Sequence, residues 1–283
     1  MYILQISDLH ISAESDLQLL ERKIKLLEDK LSGILSPQTE VVCCLLGDII
    51  DQGNPSAYSC ARNLFRQLFD WLTNLVGKDS CAVVMVPGNH DLCENRGVRN
   101  LDAFNGFYKE LLEQDTVFSD DNSIYEVECF GYRFICASSV LHGEIDYGQM
   151  DFHALARCPS VSNTIMLTHH ALISSDPDDK APIRDGYRLQ KYLEEHHVLA
   201  LLHGHTHGCK RYTVGRDCQV IDVGPMFKEV PDVSNQCNLI LVSGASIQAI
   251  WTLIYQGDRE VWDQIPTFQR DSENNYCGSS VFE

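Results

Sequence analysis

Short apolar or β-branched runs alternate along the chain with longer stretches of helical period, and the first three runs each end in a polar loop rich in Asp, His or Asn. This alternation predicts a layered α/β fold, and loops at strand ends are where such folds build their sites. A third observation bounds the organisation: no repeat, low-complexity tract or Gly/Ser/Pro-rich linker divides the 283 residues. One domain is therefore expected over residues 1–256, with residues 257–283 as a polar C-terminal tail or extension of uncertain order.

Residues 3–7 read as the first strand, 17–35 as an amphipathic helix, 41–46 as the second strand, 57–76 as a second helix and 82–86 as the third strand. The loops behind these strands are Ser7-Asp8-Leu9-His10, Gly47-Asp48-Ile49-Ile50-Asp51 and Pro87-Gly88-Asn89-His90-Asp91. Past Leu101 a helix runs to about residue 112. A hairpin follows at 125–129 and 133–138, turning at Phe130-Gly131-Tyr132, and another strand lies at 164–167. A helix at 186–195 leads into a strand at 199–203, and further strands are expected near 209–214, 219–223 and 239–255.

The 44% apolar content can fill a sizeable core at this length. No window approaches the roughly 18 consecutive apolar residues of a membrane-spanning helix. The first strand begins directly after Met1 and leaves no room for a signal peptide, so a cytoplasmic location is expected. Twelve cysteines without a C-x-x-C pattern are expected to be reduced, mostly packed thiols. A formal net charge of −18, with no compensating basic patch, weighs against binding to duplex nucleic acid or an anionic membrane. Asp176, Asp178 and Asp179 read as solvated surface.

Two transition-metal ions about 3.5–4 Å apart need a carboxylate able to bridge them, with imidazoles, carboxylates or amides completing each shell. Asp8 and His10, two apart at a strand end, can face the same side and grip one ion. Alone, Asp-x-His means little. Here it is followed in order by Gly47-Asp48, Gly88-Asn89-His90-Asp91, His169-His170 and Gly204-His205-Thr206-His207, mostly after apolar runs. Five weak signals in this order make a strong one.

The order D-x-H, G-D-x-x-D, G-N-H-D, H and G-H-x-H, spanning residues 8–207, resembles the calcineurin-like metallophosphoesterases. The resemblance implies a four-layer α-β-β-α sandwich with a two-metal centre at the strand ends. It implies that Asp8, His10, Asp48 and His207 hold one ion, that Asp48, Asn89, His169 and His205 hold the other, and that Asp48 is the bridge. It further implies His90 as proton donor to the leaving group, with Asp51 placed to hold the His90 imidazole. Two such ions acting on one water supply hydroxide near neutral pH, so no protein nucleophile is needed. The donors suit divalent or trivalent manganese, iron, zinc or cobalt without choosing among them.

The protein phosphatases of the superfamily look like G-D-x-x-D-R-G and G-N-H-E, with an arginine that grips phosphate. Here Gln52 stands in place of that arginine and Asp91 in place of the glutamate, which weakens a protein-phosphatase reading. The run from Gly47 to Tyr58, with Arg62 beyond it, and the pair His169-His170 are similar to the bacterial cyclic-nucleotide phosphodiesterase branch. The leading expectation is a phosphodiesterase for a small nucleotide or similar diester. Alternatives are a nuclease for single strands or ends, a phosphomonoesterase, and a non-catalytic scaffold or effector domain of a longer chain. That branch includes dimers, so a homodimer is open. His170 is a substrate contact or a buried partner, His203 a core residue or a support behind the ligands, and Asp91 a support behind the ligands. Arg96, Arg99, Lys180 and Arg184 are candidate phosphate contacts, and residues 174–186 form either a cap over the site or an ordinary surface loop.

Overall fold

The structure is a computed structural model that describes residues 1–115, 117–173, 182–270 and 276–277. In chain order the strands are β1 (Tyr2–Ile6), β2 (Val41–Leu45), β3 (Cys81–Met85), β4 (Cys93–Asn95), β5 (Val98–Asn100), β6 (Ile124–Cys129), β7 (Tyr132–Ala137), β8 (Thr164–Leu167), β9 (Ala200–His203), β10 (Arg211–Val214), β11 (Cys218–Asp222), β12 (Gln236–Ser243), β13 (Ser246–Gln256), β14 (Val261–Arg270) and β15 (Tyr276–Cys277). The helices are α1 (Leu17–Ser32), α2 (Tyr58–Val76), α3 (Asp102–Leu112), α4 (Phe152–Leu155) and α5 (Gly186–Glu195).

The first sheet has the order β15-β14-β13-β12-β1-β2-β3, with β1, β2 and β3 parallel. Their sequences YILQI, VVCCL and CAVVM are nearly continuous apolar runs, the pattern of strands covered on both faces. The covering helices show why they form. Asp16 caps α1 by accepting the Leu19 N–H at 3.1 Å, and Leu20, Ile24, Leu27 and Leu31 make its buried face. In α2, Ala61, Leu64, Phe65, Leu68 and Leu72 do the same.

The second sheet runs β10-β11-β9-β8-β7-β6. Its strands divide their side chains by alternation. Phe134, Cys136, Ile165, Leu167, Leu202 and Ile221 pack into the core shared with the first sheet, whereas Ile135, Met166, Leu201 and Val220 pack with Leu189 and Leu193 of α5. The expected four-layer sandwich follows: helices, two sheets face to face, helices.

A buried polar bridge joins the sheets close to the ligand-bearing ends. The Gln5 amide donates to the His203 carbonyl at 3.1 Å and to the Ile221 carbonyl at 3.0 Å, while Asn238 donates to Gln5 Oε1 at 3.0 Å and to the Asp222 carbonyl at 2.9 Å. Buried polar groups satisfied this fully fix one relative placement of the two layers.

Two expectations need correction. Residues 239–255 are two strands, β12 and β13, joined by a tight turn with Gly244 at φ 56°. The segment expected to begin a polar tail at Gly257 instead carries β14, which pairs with β13 and buries Trp262 and Phe268. The Trp262 indole donates to the Lys23 carbonyl of α1 at 2.9 Å. With one face buried and the other wet, β14 has half the apolar density of a core strand, and composition hides it. The β4–β5 hairpin, at three residues per strand, also escapes the periodicity argument. Among the described residues every cysteine is free, and no helix is long and apolar enough to cross a membrane.

Candidate metal centre

Parallel strands of both sheets deliver the predicted residues to one rim. Asp8 and His10 follow β1, Asp48 follows β2, Asn89 follows β3, His169 follows β8, and His205 and His207 follow β9. Because β1 ends at Ile6, strand alternation does not bring Asp8 and His10 together. Both lie in the left-handed region, at φ 53° and 48°, as do Asp48 at 52°, His205 at 70° and His207 at 52°. Five of the seven predicted ligands thus adopt a conformation uncommon outside glycine, and conformational cost of this kind gathers at functional sites. Glycine is required where these loops touch. A Cβ on Gly88 would overlap Asp48, and one on Gly204 would overlap Ser7 and Asp8.

The donor atoms fall into overlapping groups, each within 4.8 Å: Asp8 with His10 and His207, Asp48 with His169 and His205, and His10 with Asp48 and His90. Asp48 Oδ2 stands 3.4 Å from His10 Nε2 and 3.4 Å from His169 Nε2, so a single oxygen faces an imidazole of each predicted shell. His169 Nε2 lies 3.1 Å from Asn89 Oδ1 and 3.2 Å from His205 Nδ1. His207 Nε2 is 3.3 Å from Asp8 Oδ1, a buried oxygen that has no hydrogen-bond partner among the described residues. Lone pairs converging on one another this closely, around an unsatisfied buried carboxylate oxygen, fit a pair of cations.

The electrostatics of the carboxylates agree with that fit. Burial alone would raise the Asp8 and Asp48 carboxyls, but neighbouring imidazoles outweigh it and hold both below the usual range. Burial likewise opposes the charged form of His169, yet Asp48 wins and the imidazole is raised to about 9. The carboxylates therefore remain ionised, as ligation requires.

His90 and Asp51 sit at the open side. His90 Nδ1 is 3.2 Å from Asp51 Oδ1, and the same nitrogen accepts the Gln52 N–H at 3.2 Å. Asp51 Oδ1 also accepts from His10 Nδ1 at 3.1 Å, which leaves His10 Nε2 facing the carboxylates. The side chain expected to serve His90 thus serves a candidate ligand as well. Asp91 lies behind the centre, where its carboxylate accepts from the Ile49 and Gly88 N–H groups and the Tyr58 hydroxyl at 3.1, 2.9 and 2.9 Å.

The remaining candidates separate. His170 is fully buried, with Nδ1 on the Ser139 hydroxyl at 2.9 Å, the alternative to substrate contact. His203 is also buried, with Nδ1 at 3.1 Å from the Gly204 carbonyl and 3.4 Å from Asp222. Arg99 is tied to the Gly143 carbonyl and Arg184 stacks on Tyr147, while Arg96 is exposed; among the described residues no hydrogen bond or ion pair joins any of them to the metal donors. Lys180 and most of the 174–186 loop lie outside the described residues. Two participants carried no sequence signal. Asp222 binds the hydroxyl of Thr206 between two ligands, and Lys228 places Nζ 3.4 Å from His10 Nε2. Neither belongs to a motif, and both are far in sequence from what they touch.

A layered α/β sandwich with an Asp/His/Asn cluster at its strand ends is the arrangement that the sequence resemblance implies. Residues 1–209 match the family model for the calcineurin-like phosphoesterases, and the chain belongs to that family. A probable cyclic nucleotide phosphodiesterase of Rhodococcus erythropolis is 26% identical over 214 residues, 73% of this chain and 64% of the relative. The chain thus spans less than two thirds of that relative's length. A probable cyclic nucleotide phosphodiesterase of Synechococcus is 23% identical over 212 residues, 72% of each. Among solved structures, a dimetal phosphatase from Danio rerio superposes with a TM-score of 0.58 at 15% identity, covering 94% of this chain and 98% of that one, a likeness of fold.

Proposed function

We propose that the chain is a two-metal phosphodiesterase acting on a small phosphodiester of nucleotide type. The observation that carries this reading is the placement of Asp48 Oδ2, 3.4 Å from an imidazole nitrogen of each ligand group. Asp8, His10, Asp48 and His207 would hold one ion, and Asp48, Asn89, His169 and His205 the other. When bound, such a pair activates a water and offsets charge on the phosphoryl oxygens. The protein's share is to hold the ligands and protonate the leaving oxygen. The His90 backbone N–H donates to Asp48 Oδ1 at 2.8 Å and so orients the carboxylate that would serve both ions. The His90 imidazole is the proton donor. Burial first of all lowers its pKa, making its proton easier to give, and the Asp51 carboxylate, 3.2 Å from Nδ1, acts against that shift. The names of the two bacterial relatives support a diester substrate.

The test is a metal-loaded protein assayed on cyclic nucleotides, aryl diesters, aryl monoesters and single-stranded DNA, beside His90→Ala. Diester cleavage is expected, with the variant losing roughly 10²–10⁴-fold on poor leaving groups and much less on good ones. Equal losses would remove His90 from the acid role. Rapid cleavage of monoesters alone would overturn the diester reading, fragments from single-stranded DNA would favour a nuclease, and no hydrolysis at all would favour a scaffold.

A further inference from the structure

The motif that should carry a phosphate-gripping cation carries Gln52, exposed and uncharged, and Arg99 and Arg184 are committed elsewhere. A cation does reach the centre from the other end of the chain. Lys228, on the loop between β11 and β12, lies half-buried with Nζ 3.4 Å from His10 Nε2. We infer that Lys228 binds a phosphoryl oxygen of the substrate, supplying from the loop that joins the two sheets the cationic contact that position 52 lacks. This rests on the phosphoesterase reading above and names a specificity residue within it.

Three observations carry the inference. The ammonium has no carboxylate at ion-pair distance among the described residues, and its hydrogen bond is to His10 Nε2, the nitrogen that faces Asp8 and Asp48. When His10 spends that lone pair on a cation, Lys228 is left as an unpaired positive charge beside the reaction site, where an anion is the partner it lacks. Its backbone is also built in. Asn235, itself buried, donates to the Lys228 carbonyl at 2.9 Å and accepts from the buried Lys23 ammonium at 2.7 Å, while the neighbouring Phe227 is packed in the core. These contacts anchor the Lys228 backbone at the mouth of the site, and the end of its side chain can swing. Finally, a cavity of about 280 Å³ opens beside it, lined by His10, Lys23 and Lys228 and by the carboxylates of Asp16, Asp51 and Glu229, giving space for a bound group next to the ammonium.

The experiment is calorimetric binding of inorganic phosphate to the metal-loaded wild-type protein, Lys228→Met and Lys228→Arg, with metal content measured on each, alongside KM and kcat for an aryl diester. Loss of a charge-assisted contact predicts phosphate binding roughly tenfold or more weaker in Lys228→Met, at unchanged metal stoichiometry, with substantial recovery in Lys228→Arg. In turnover the loss should fall mainly on KM. Phosphate affinity within twofold of wild type in Lys228→Met would overturn the inference, as would a wild-type protein that binds no phosphate. Lys228-dependent phosphate binding without diester cleavage would instead uphold the inference and remove the phosphodiesterase reading.

Discussion

Asp51 concentrates the chemistry of this centre in one carboxylate oxygen. Its Oδ1 accepts from His10 Nδ1 at 3.1 Å and lies 3.2 Å from His90 Nδ1, so it bears on a candidate ligand and on the candidate acid together. A partner on the far nitrogen of a ligating histidine fixes its tautomer and strengthens it as a donor, and losing such a partner typically costs about 10–100-fold in metal affinity. Asp51→Asn keeps an acceptor for His10 but loses the charge, and metal affinity measured by chelator competition is expected to fall by about tenfold as turnover drops. Unchanged metal affinity would mean that Asp51 serves His90 alone. At this scale the sequence named the donors themselves, because side-chain type and motif order are local properties. It could not name Lys228 or Asp222, whose roles come from contacts with residues 218 and 16 positions away.

Elements position these donors by ending where they do. Strands β1, β2, β3, β8 and β9 stop short of the ligands, and after β1, β2 and β9 the ligands themselves are left-handed residues. The core strands and long helices are legible in the chain because period and apolar density persist over many residues. The last strands are not, since β14 is buried on one face only. Its worth can be measured. Trp262 is almost fully buried between β14 and α1, so Trp262→Ala should destabilise the fold by about 3–5 kcal/mol in urea denaturation. A change below about 1 kcal/mol would make β14 an ornament on the sheet rather than part of it.

At the scale of the whole molecule, both termini of the described fold share the first sheet, with β1 paired to β12 and the Met1 carbonyl bonded to the Val242 N–H at 3.0 Å. The interior so enclosed holds Cys43, Cys44, Cys93, Cys136, Cys158, Cys218 and Cys237. Burial pushes these thiols up, Cys136 and Cys218 to about 12. Since the thiolate is the reactive form, the buried set should resist a thiol reagent in the native protein and react fully once denatured. Prompt reaction of all twelve cysteines under native conditions would contradict this core.

The sequence by itself determined the layered α/β class, the order of the first strands and helices, and the set of donor residues, because hydrophobic period and short motifs are written locally. Tertiary structure decided what depends on distance between sheets. It set Asp48 against an imidazole from each sheet, gave Asp51 two histidines to serve, and brought Lys228 to the mouth of the site. It also turned an apparent tail into a strand. The three side-chain placements are contacts across a large separation in sequence, and no local pattern encodes them.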